Sequence, residues 1–356
     1  MKAVVLKEPE KIVIEDIPKP EADNDFLVVN VKACGICGSD VRYYMGENPW
    51  ALHTLGISLP NPPNIVLGHE FAGIVEQVKN PDYQKLLGKR VGVLAFDTCK
   101  VCDTCRINQY NICHNTLHLG HGAGWGKMDY YPGGMTSYCR VWNTNVVELP
   151  DTVSYIEATL LDPISVGVHA ISLSGIASGD RVLVLGSGPV GLSIAQAVRG
   201  FGAVEVFCTD LFPASVEMAK KLGVDEAILV DKDNELESIV SIVKNGVDVV
   251  FDTVGTATSQ KTGLHLLRKS GTMVNLVANK TKAFYSPLDL AFEKRILASA
   301  NNRLEDYLLG LKFIEHGIIN AKEMITKVIP LEDIQKGFDE LLDRETSGAM
   351  KIVIEP

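Results

Sequence analysis

A glycine-rich turn at residues 186–191 is the feature that most constrains the fold of this chain. It reads Gly-Ser-Gly-Pro-Val-Gly, which fits the pattern G-x-G-x-x-G, and it lies between an apolar run at 181–185 and a helix-like segment at 192–200. Glycines at these positions allow a tight turn and let backbone N–H groups approach a pyrophosphate at the helix N-terminus. The pattern predicts a dinucleotide-binding site formed by Gly186, Gly188, Pro189, Val190 and Gly191.

The next predicted strand, 204–208, leads to Asp210. A carboxylate at the end of this strand can accept hydrogen bonds from the adenosine ribose hydroxyls and would repel a 2′-phosphate. We therefore expect NAD rather than NADP as the cofactor. The alternative is that the glycines only form a tight turn between a strand and a helix, and the position of Asp210 argues against it.

Alternating strand-like and helical segments continue after the turn. Apolar runs at 227–230, 247–251 and 272–276 repeat the rhythm of a parallel sheet with crossover helices. The first part of the chain instead contains short β-branched runs broken by glycine and proline, which are typical of a β-rich domain. Two helical stretches are predicted after Leu304, and a final strand at 351–354 is expected to return to the first domain. The proline-containing segment 45–64 is predicted to be a loop insertion.

Composition excludes several classes of function. The 356 residues are enough for two domains, and the formal net charge of -10 disfavours a nucleic-acid partner. There is no uncharged apolar run of about 18 residues, and the apolar run that begins at Ala3 meets a charge at Lys7 too soon for a secretory signal. We therefore expect a cytoplasmic protein without a membrane partner, and in a reducing compartment eight cysteines indicate metal binding rather than disulfides.

Four of these cysteines are closely spaced: Cys99, Cys102, Cys105 and Cys113. Four thiolates can complete a tetrahedron around zinc and leave no position for substrate, so the array predicts a structural zinc site. Iron–sulfur clusters also use four cysteines, but their bacterial spacing has a shorter last gap followed by proline. Unrelated buried thiols are the other alternative.

A second set of possible ligands is dispersed along the chain: Cys37, His69, Glu70 and Asp162. One thiolate, one imidazole and carboxylates suit a zinc ion that keeps a position for water or substrate. Taken singly, each residue has a simpler interpretation. Cys37 could be a small buried residue, His69 a core histidine, and Asp162 a helix cap before Pro163.

Together these segments resemble the zinc-containing medium-chain dehydrogenase/reductase family, in particular its polyol, or sorbitol-type, dehydrogenase branch. The resemblance extends over nearly the whole chain. It rests on the following segments: 35–40 (Gly-Ile-Cys-Gly-Ser-Asp), 68–70 (Gly-His-Glu), the four-cysteine lobe, 133–135 (Gly-Gly-Met), 162–167 (Asp-Pro-Ile-Ser-Val-Gly) and the glycine-rich turn. It implies a GroES-like catalytic domain at residues 1–155, completed by 300–356, and a Rossmann domain with a doubly wound parallel sheet at 156–299.

The resemblance also implies roles for individual residues. Cys37 and His69 would bind a catalytic zinc ion, Glu70 would be a ligand or a nearby carboxylate, and Ser39 would contact the substrate oxygen. Asp162 occupies a position where polyol dehydrogenases commonly have glutamate and simple alcohol dehydrogenases commonly have cysteine, so it could bind zinc directly or through water. Arg42 replaces a histidine that relays the proton in many relatives, and arginine is not a proton acceptor near neutral pH.

The function implied by this resemblance is transfer of a hydride from a secondary alcohol of a polyol or sugar to NAD, with two zinc ions per chain. The product would be a ketone, and the protein would be a homodimer or homotetramer. Alternatives within the class are an aldose dehydrogenase and a simple secondary-alcohol dehydrogenase. Outside the class, a non-catalytic zinc protein that senses NAD is the remaining alternative, which an intact Cys37, Ser39 and His69 disfavour.

Overall fold

The computed structural model describes residues 1–122, 124–232 and 234–356. They form two compact units, the first comprising Met1–Asp162 and Ile325–Pro356, and the second Pro163–Met324. Among the described residues, no helix is both long enough and apolar enough to cross a bilayer.

Short strands and helices make up both units. The strands are β1 (Lys2–Glu8), β2 (Lys11–Asp16), β3 (Phe26–Gly35), β4 (Ile65–Val66), β5 (Glu70–Gln77), β6 (Arg90–Val93), β7 (Phe96–Asp97), β8 (Leu117–His118), β9 (Tyr138–Trp142), β10 (Val146–Glu148), β11 (Arg181–Leu185), β12 (Glu205–Asp210), β13 (Glu226–Leu229), β14 (Val247–Asp252), β15 (Leu267–Asn275), β16 (Arg295–Ala298), β17 (Lys327–Pro330) and β18 (Ile352–Glu355). The helices are α1 (Gly38–Tyr44), α2 (Asp103–Arg106), α3 (Tyr155–Ala158), α4 (Leu161–Ser174), α5 (Pro189–Gly200), α6 (Pro213–Lys221), α7 (Glu235–Val240), α8 (Ala257–Leu266), α9 (Leu304–Glu315), α10 (Ala321–Met324), α11 (Ile334–Leu342) and α12 (Arg344–Ser347).

The first unit is built from β-sheets. Its largest sheet has the strand order β10-β6-β5-β3-β18-β17, with β9 also paired to β3. A three-stranded sheet, β2-β1-β4, and a two-stranded sheet, β7-β8, complete the unit. Leu27, Val29 and Phe71 lie in its buried apolar core, together with Phe338 from the C-terminal helix α11. Since β18 pairs with β3, with Val353 opposite Gly35, the end of the chain belongs to the same core as its beginning.

The second unit contains a six-stranded sheet with the order β13-β12-β11-β14-β15-β16. All its strand pairs are parallel. The order reverses beside β11, the strand that precedes the glycine-rich turn, which is the place where doubly wound sheets bind ligands at their carboxyl ends. The predicted doubly wound fold is therefore confirmed, and β11 has the predicted bounds.

The unit boundaries differ from the sequence expectation. The chain leaves the first unit after Asp162 and returns at Ile325, later in both cases than the expected positions 155 and 300. The tail stays longer in the second unit because α9 packs there. Its Asp306 lies 2.9 Å from His169 Nδ1, and a Cβ at Gly310 would meet Ile164 at 2.8 Å.

Two local predictions are also corrected. The tail contains four helices, α9 to α12, rather than two. The two additional helices, α10 and α12, are single turns of four residues. The segment 45–64 is not a loop throughout, because Ala51–Leu55 forms a π-helical turn that ends at Gly56 with φ of 70°.

Candidate metal centres and nucleotide site

The four predicted structural cysteines converge. Cys99 follows β7, Cys102 and Cys105 lie at and within α2, and Cys113 follows a short turn, which brings their sulfur atoms within 4.8 Å of one another. The Cys113 sulfur is 3.5 Å from that of Cys99 and 3.8 Å from that of Cys102. A zinc tetrahedron with bonds of about 2.3 Å places its sulfur atoms about 3.8 Å apart. The set therefore fits one zinc ion.

The electrostatics of this lobe also favour a cation. Backbone N–H groups of Cys99 and Asn115 donate to the Cys113 sulfur at 3.4 and 3.3 Å, an arrangement that stabilises a thiolate. Hydrogen bonding to Thr104 Oγ1 lowers the pKa of Cys102 to about 5, whereas burial raises the pKa of Cys113 to about 12. Four adjacent thiols cannot all ionise without a compensating positive charge, and a divalent metal supplies it.

The second cluster joins Cys37, His69 and Glu70, whose ligand atoms also lie within 4.8 Å of one another. Cys37 stands immediately before α1, and His69 and Glu70 enter β5. Asp40, fully buried in the first turn of α1, accepts hydrogen bonds from the N–H groups of Cys37 at 2.8 Å and of Gly68 at 3.2 Å. Asp40 thus holds the segment that contains Cys37 close to the segment that contains Gly68 and His69.

The environment of His69 is negative. Its Nδ1 lies 3.6 Å from Asp40 Oδ1, and its Nε2 lies 3.4 Å from the hydroxyl of Ser39. Burial alone would lower the pKa of His69, but Asp40 and Cys37 outweigh it and raise the pKa well above its usual value. Groups that favour a proton on His69 also favour a metal cation at the same place, so the donor set fits the predicted catalytic zinc.

Glu70 has a partner that the sequence did not indicate. Lys351, immediately before β18, donates from Nζ to Glu70 Oε2 and, at 3.2 Å, to the carbonyl oxygen of Ile36. Both side chains of this ion pair are 1% exposed. Lys351 thus holds Oε2 of Glu70, in a carboxylate that has one oxygen within 4.8 Å of the ligand atoms of Cys37 and His69.

Two further histidines surround His69 and were missed by the sequence analysis. The His121 and His118 rings lie 4.6 and 5.9 Å from the His69 ring, and both histidines are buried. Burial and the neighbouring His69 lower the pKa of His118 to about 3, and burial with His118 lowers the pKa of His121 well below its usual value. Their only sequence signal was a pair of histidines three positions apart beside two glycines.

The glycine-rich turn has the geometry expected of a pyrophosphate site. Gly186 has φ of 93°, and a Cβ at Gly191 would lie 1.9 Å from the Gly186 carbonyl oxygen, so both positions require glycine. A Cβ at Gly188 would meet no atom within 4 Å, which leaves open space at the N-terminus of α5. Pro189 and Val190 are the first two residues of that helix. Asp210 accepts from the N–H of Ser187 at 2.8 Å, so its carboxylate lies beside the turn.

Other predicted positions are not brought into these clusters. Asp162 lies in the first turn of α4 and is not among the Cys37, His69 and Glu70 group. Arg42 instead forms an ion pair with Glu47 at 2.7 Å. Three further cysteines, Cys34, Cys139 and Cys208, are buried in the two units, as expected of packing thiols.

Family models match both parts of the chain. Residues 23–151 match the alcohol dehydrogenase GroES-like domain, and residues 189–315 match the zinc-binding dehydrogenase model. The chain is 30% identical to sorbitol dehydrogenase of Bacillus subtilis, over 100% of this chain and 97% of that protein. It belongs to the zinc-containing medium-chain dehydrogenase/reductase family. The predicted GroES-like and Rossmann folds are confirmed.

Other relatives agree with this assignment. D-xylulose reductase A of Aspergillus niger is 30% identical over 95% of this chain and 92% of that protein. The crystal structure of 2R,3R-butanediol dehydrogenase from Bacillus subtilis is similar with a TM-score of 0.83 at 28% identity, covering 100% of this chain and 99% of that one. The predicted polyol branch and the dehydrogenase class are thereby confirmed.

Proposed function

We propose that this dehydrogenase oxidises a secondary alcohol of a polyol or sugar to a ketone and transfers the hydride to NAD. The observation that carries the proposal is the convergence of Cys37, His69 and Glu70 with the Ser39 hydroxyl at 3.4 Å from His69. A thiolate, an imidazole and a carboxylate can hold zinc while a coordination position stays open. When bound, zinc supplies positive charge that stabilises an alcohol oxygen as it loses its proton.

The protein groups around this position have separate tasks. Asp40 orients the Cys37 and Gly68 backbones, and Lys351 restrains one oxygen of Glu70. Ser39, whose hydroxyl lies 3.4 Å from His69 Nε2, would accept the substrate proton and pass it towards water. Arg42 is engaged with Glu47 and cannot accept that proton, so the relay does not run through its side chain.

The cofactor preference rests on Asp210. Its carboxylate lies beside Ser187 of the glycine-rich turn, at the end of β12. Oδ2 of Asp210 accepts from Ser187, and Oδ1 accepts from the N–H of Phe212 at 2.9 Å. Each carboxylate oxygen can accept more than one hydrogen bond, so these two contacts leave capacity for ribose hydroxyls. A phosphate in the same place would face like charge, and NAD is therefore the expected partner.

Each chain would hold two zinc ions, one bound by Cys99, Cys102, Cys105 and Cys113, and one by Cys37, His69 and Glu70. Asp162 is kept as a further ligand candidate, directly or through water, on the family resemblance alone. A homodimer or homotetramer remains a prediction from the same resemblance, and a cytoplasmic location remains a prediction from the composition and the start of the sequence.

The similarity to a sorbitol dehydrogenase and to D-xylulose reductases supports a polyol substrate. A screen of sorbitol, 2,3-butanediol, glucose and 2-propanol with NAD, followed by NADH absorbance, tests the proposal. We expect the highest kcat/KM with a substrate that has two adjacent hydroxyls. Preference for glucose would indicate an aldose dehydrogenase, and preference for 2-propanol a simple alcohol dehydrogenase. NAD binding without turnover of any substrate would contradict the enzymatic proposal.

A further inference from the structure

His121 lies on a loop whose backbone contacts the backbone of Gly68, the residue before His69. The loop after β8 is anchored by hydrogen bonds from Leu119 N to Ala95 O and from Gly120 N to Pro132 O, at 2.8 and 2.7 Å. A Cβ at Gly120 would come within 2.6 Å of the Gly68 carbonyl oxygen, so the two backbones are in direct contact. Glycine at position 120, with φ of 78°, permits this approach and delivers the next side chain beside His69.

The His121 ring is held in a stack of rings. On one side it lies parallel to His118, with centroids 4.3 Å apart and an interplanar angle of 16°. Tyr43 contacts it at 4.8 Å, and His118 in turn stacks on Phe96 at 5.7 Å. His118 is further fixed by Nδ1, which lies 3.2 Å from the Leu119 carbonyl oxygen. A ring packed in this way is oriented before any ligand binds.

The polar atoms of this ring are unsatisfied. His121 is 7% exposed, and neither Nδ1 nor Nε2 has a hydrogen-bond partner among the described residues. Buried polar side-chain atoms nearly always have a partner, and an exception calls for a ligand or an ordered water. By contrast, the Tyr43 hydroxyl is engaged with Asn48 Oδ1 at 3.3 Å.

The two nitrogens of the His121 ring indicate which chemical group could bind to it. A neutral imidazole offers one donor and one acceptor, as a hydroxyl group does. With ring centroids 4.6 Å apart, His121 and His69 can be reached by neighbouring oxygens of one small molecule. A monohydroxy alcohol whose oxygen lies beside His69 has no second hydroxyl to reach His121.

We propose that His121 is a specificity-determining residue that hydrogen-bonds the substrate hydroxyl adjacent to the reacting one. This inference rests on the proposed function, because it assumes that the reacting oxygen binds beside His69 and Ser39. It assigns the selection of a vicinal diol to a histidine outside the metal-binding motifs.

The test compares 2,3-butanediol with 2-butanol in the zinc-loaded enzyme with NAD. His121→Phe keeps an aromatic ring in the stack and removes both nitrogens, and we expect it to lower the ratio of kcat/KM for the diol over 2-butanol about 10-fold or more. His121→Gln, which keeps a donor and an acceptor, should restore part of the ratio. Tyr43→Phe, which removes a hydroxyl directed at Asn48, is the matched control and should leave the ratio unchanged.

Calorimetric Kd values for 2,3-butanediol separate this inference from the proposed function. If the wild type turns over no alcohol, the proposed function is wrong, and the Kd comparison still decides the role of His121. A Kd that rises in His121→Phe supports the assignment. An unchanged substrate ratio or an unchanged Kd in a His121→Phe protein with the wild-type circular dichroism spectrum overturns it.

Discussion

The buried ion pair between Lys351 and Glu70 makes a quantitative prediction about stability. Both side chains are 1% exposed, and Lys351 also donates to the Ile36 carbonyl oxygen at 3.2 Å. Removing one member of a buried ion pair leaves the other charge uncompensated, which costs about 3–5 kcal/mol. We expect Lys351→Met to lower the free energy of unfolding of the first unit by this amount when no zinc occupies the Cys37, His69 and Glu70 site, since a bound cation would itself compensate Glu70.

The pH dependence of this effect has a definite sign. Burial lowers the pKa of Lys351, but Glu70 and Cys37 outweigh it and raise the pKa above its usual value of 10.5. A lysine whose pKa is raised by folding contributes its full stabilisation below its unfolded pKa, and this is lost as the pH rises through the folded pKa. The contribution of Lys351 to the stability of the wild type should therefore be fully present at both about pH 7 and about pH 9, and the difference from Lys351→Met should not decrease between them.

Urea unfolding followed by tryptophan fluorescence measures this difference. The chain has three tryptophans, Trp50, Trp125 and Trp142, and all three lie in the first unit, so the signal reports that unit alone. Lys2→Met is the matched control, because the Lys2–Glu332 pair is more than half exposed, and it should cause no measurable change.

The double variant Lys351→Met/Glu70→Gln completes the measurement. In Lys351→Met the charge of Glu70 is uncompensated, and Glu70→Gln removes that charge. The double variant should therefore be more stable than Lys351→Met. The reasoning would be refuted by a loss below about 1 kcal/mol in Lys351→Met, or by a double variant that loses the sum of the two single effects.

The remaining predictions concern metal, cofactor and substrate. Metal analysis of active, zinc-replete protein should find two zinc ions per chain, and a value of one or less rejects the two-site assignment. Cys102→Ser should mainly reduce stability, since a structural zinc contributes folding free energy, whereas Cys37→Ser should mainly reduce turnover. Asp210→Ala should narrow the preference for NAD over NADP in kcat/KM, and a wild type that favours NADP would show that Asp210 is assigned incorrectly. Asp162→Asn should weaken zinc binding or turnover with little change in NAD affinity; an unchanged zinc content and kcat would remove Asp162 from the site.

The sequence predicted the parts of the site that are encoded locally. Glycines at 186, 188 and 191 between a strand and a helix indicated the nucleotide turn, because backbone freedom and helix termini act over a few residues. Cys99, Cys102, Cys105 and Cys113 were recognised together for the same reason, since one short segment can bring thiolates around one ion. The cluster of Cys37 with His69 was predicted from family resemblance, because no local rule connects two separate motifs.

What only the tertiary structure decided are the contacts between distant segments. Lys351 meets Glu70 across 281 positions because β18 pairs with β3 in the same sheet as β5. His121 meets His69 because Gly120 lets one loop rest on the backbone of another. Neither lysine nor histidine has a sequence pattern that identifies its partner when strand pairing and packing set the distance. The sequence by itself therefore determined the fold, the nucleotide turn and the metal-binding residue types, whereas packing determined which charges and rings surround the metal ligands.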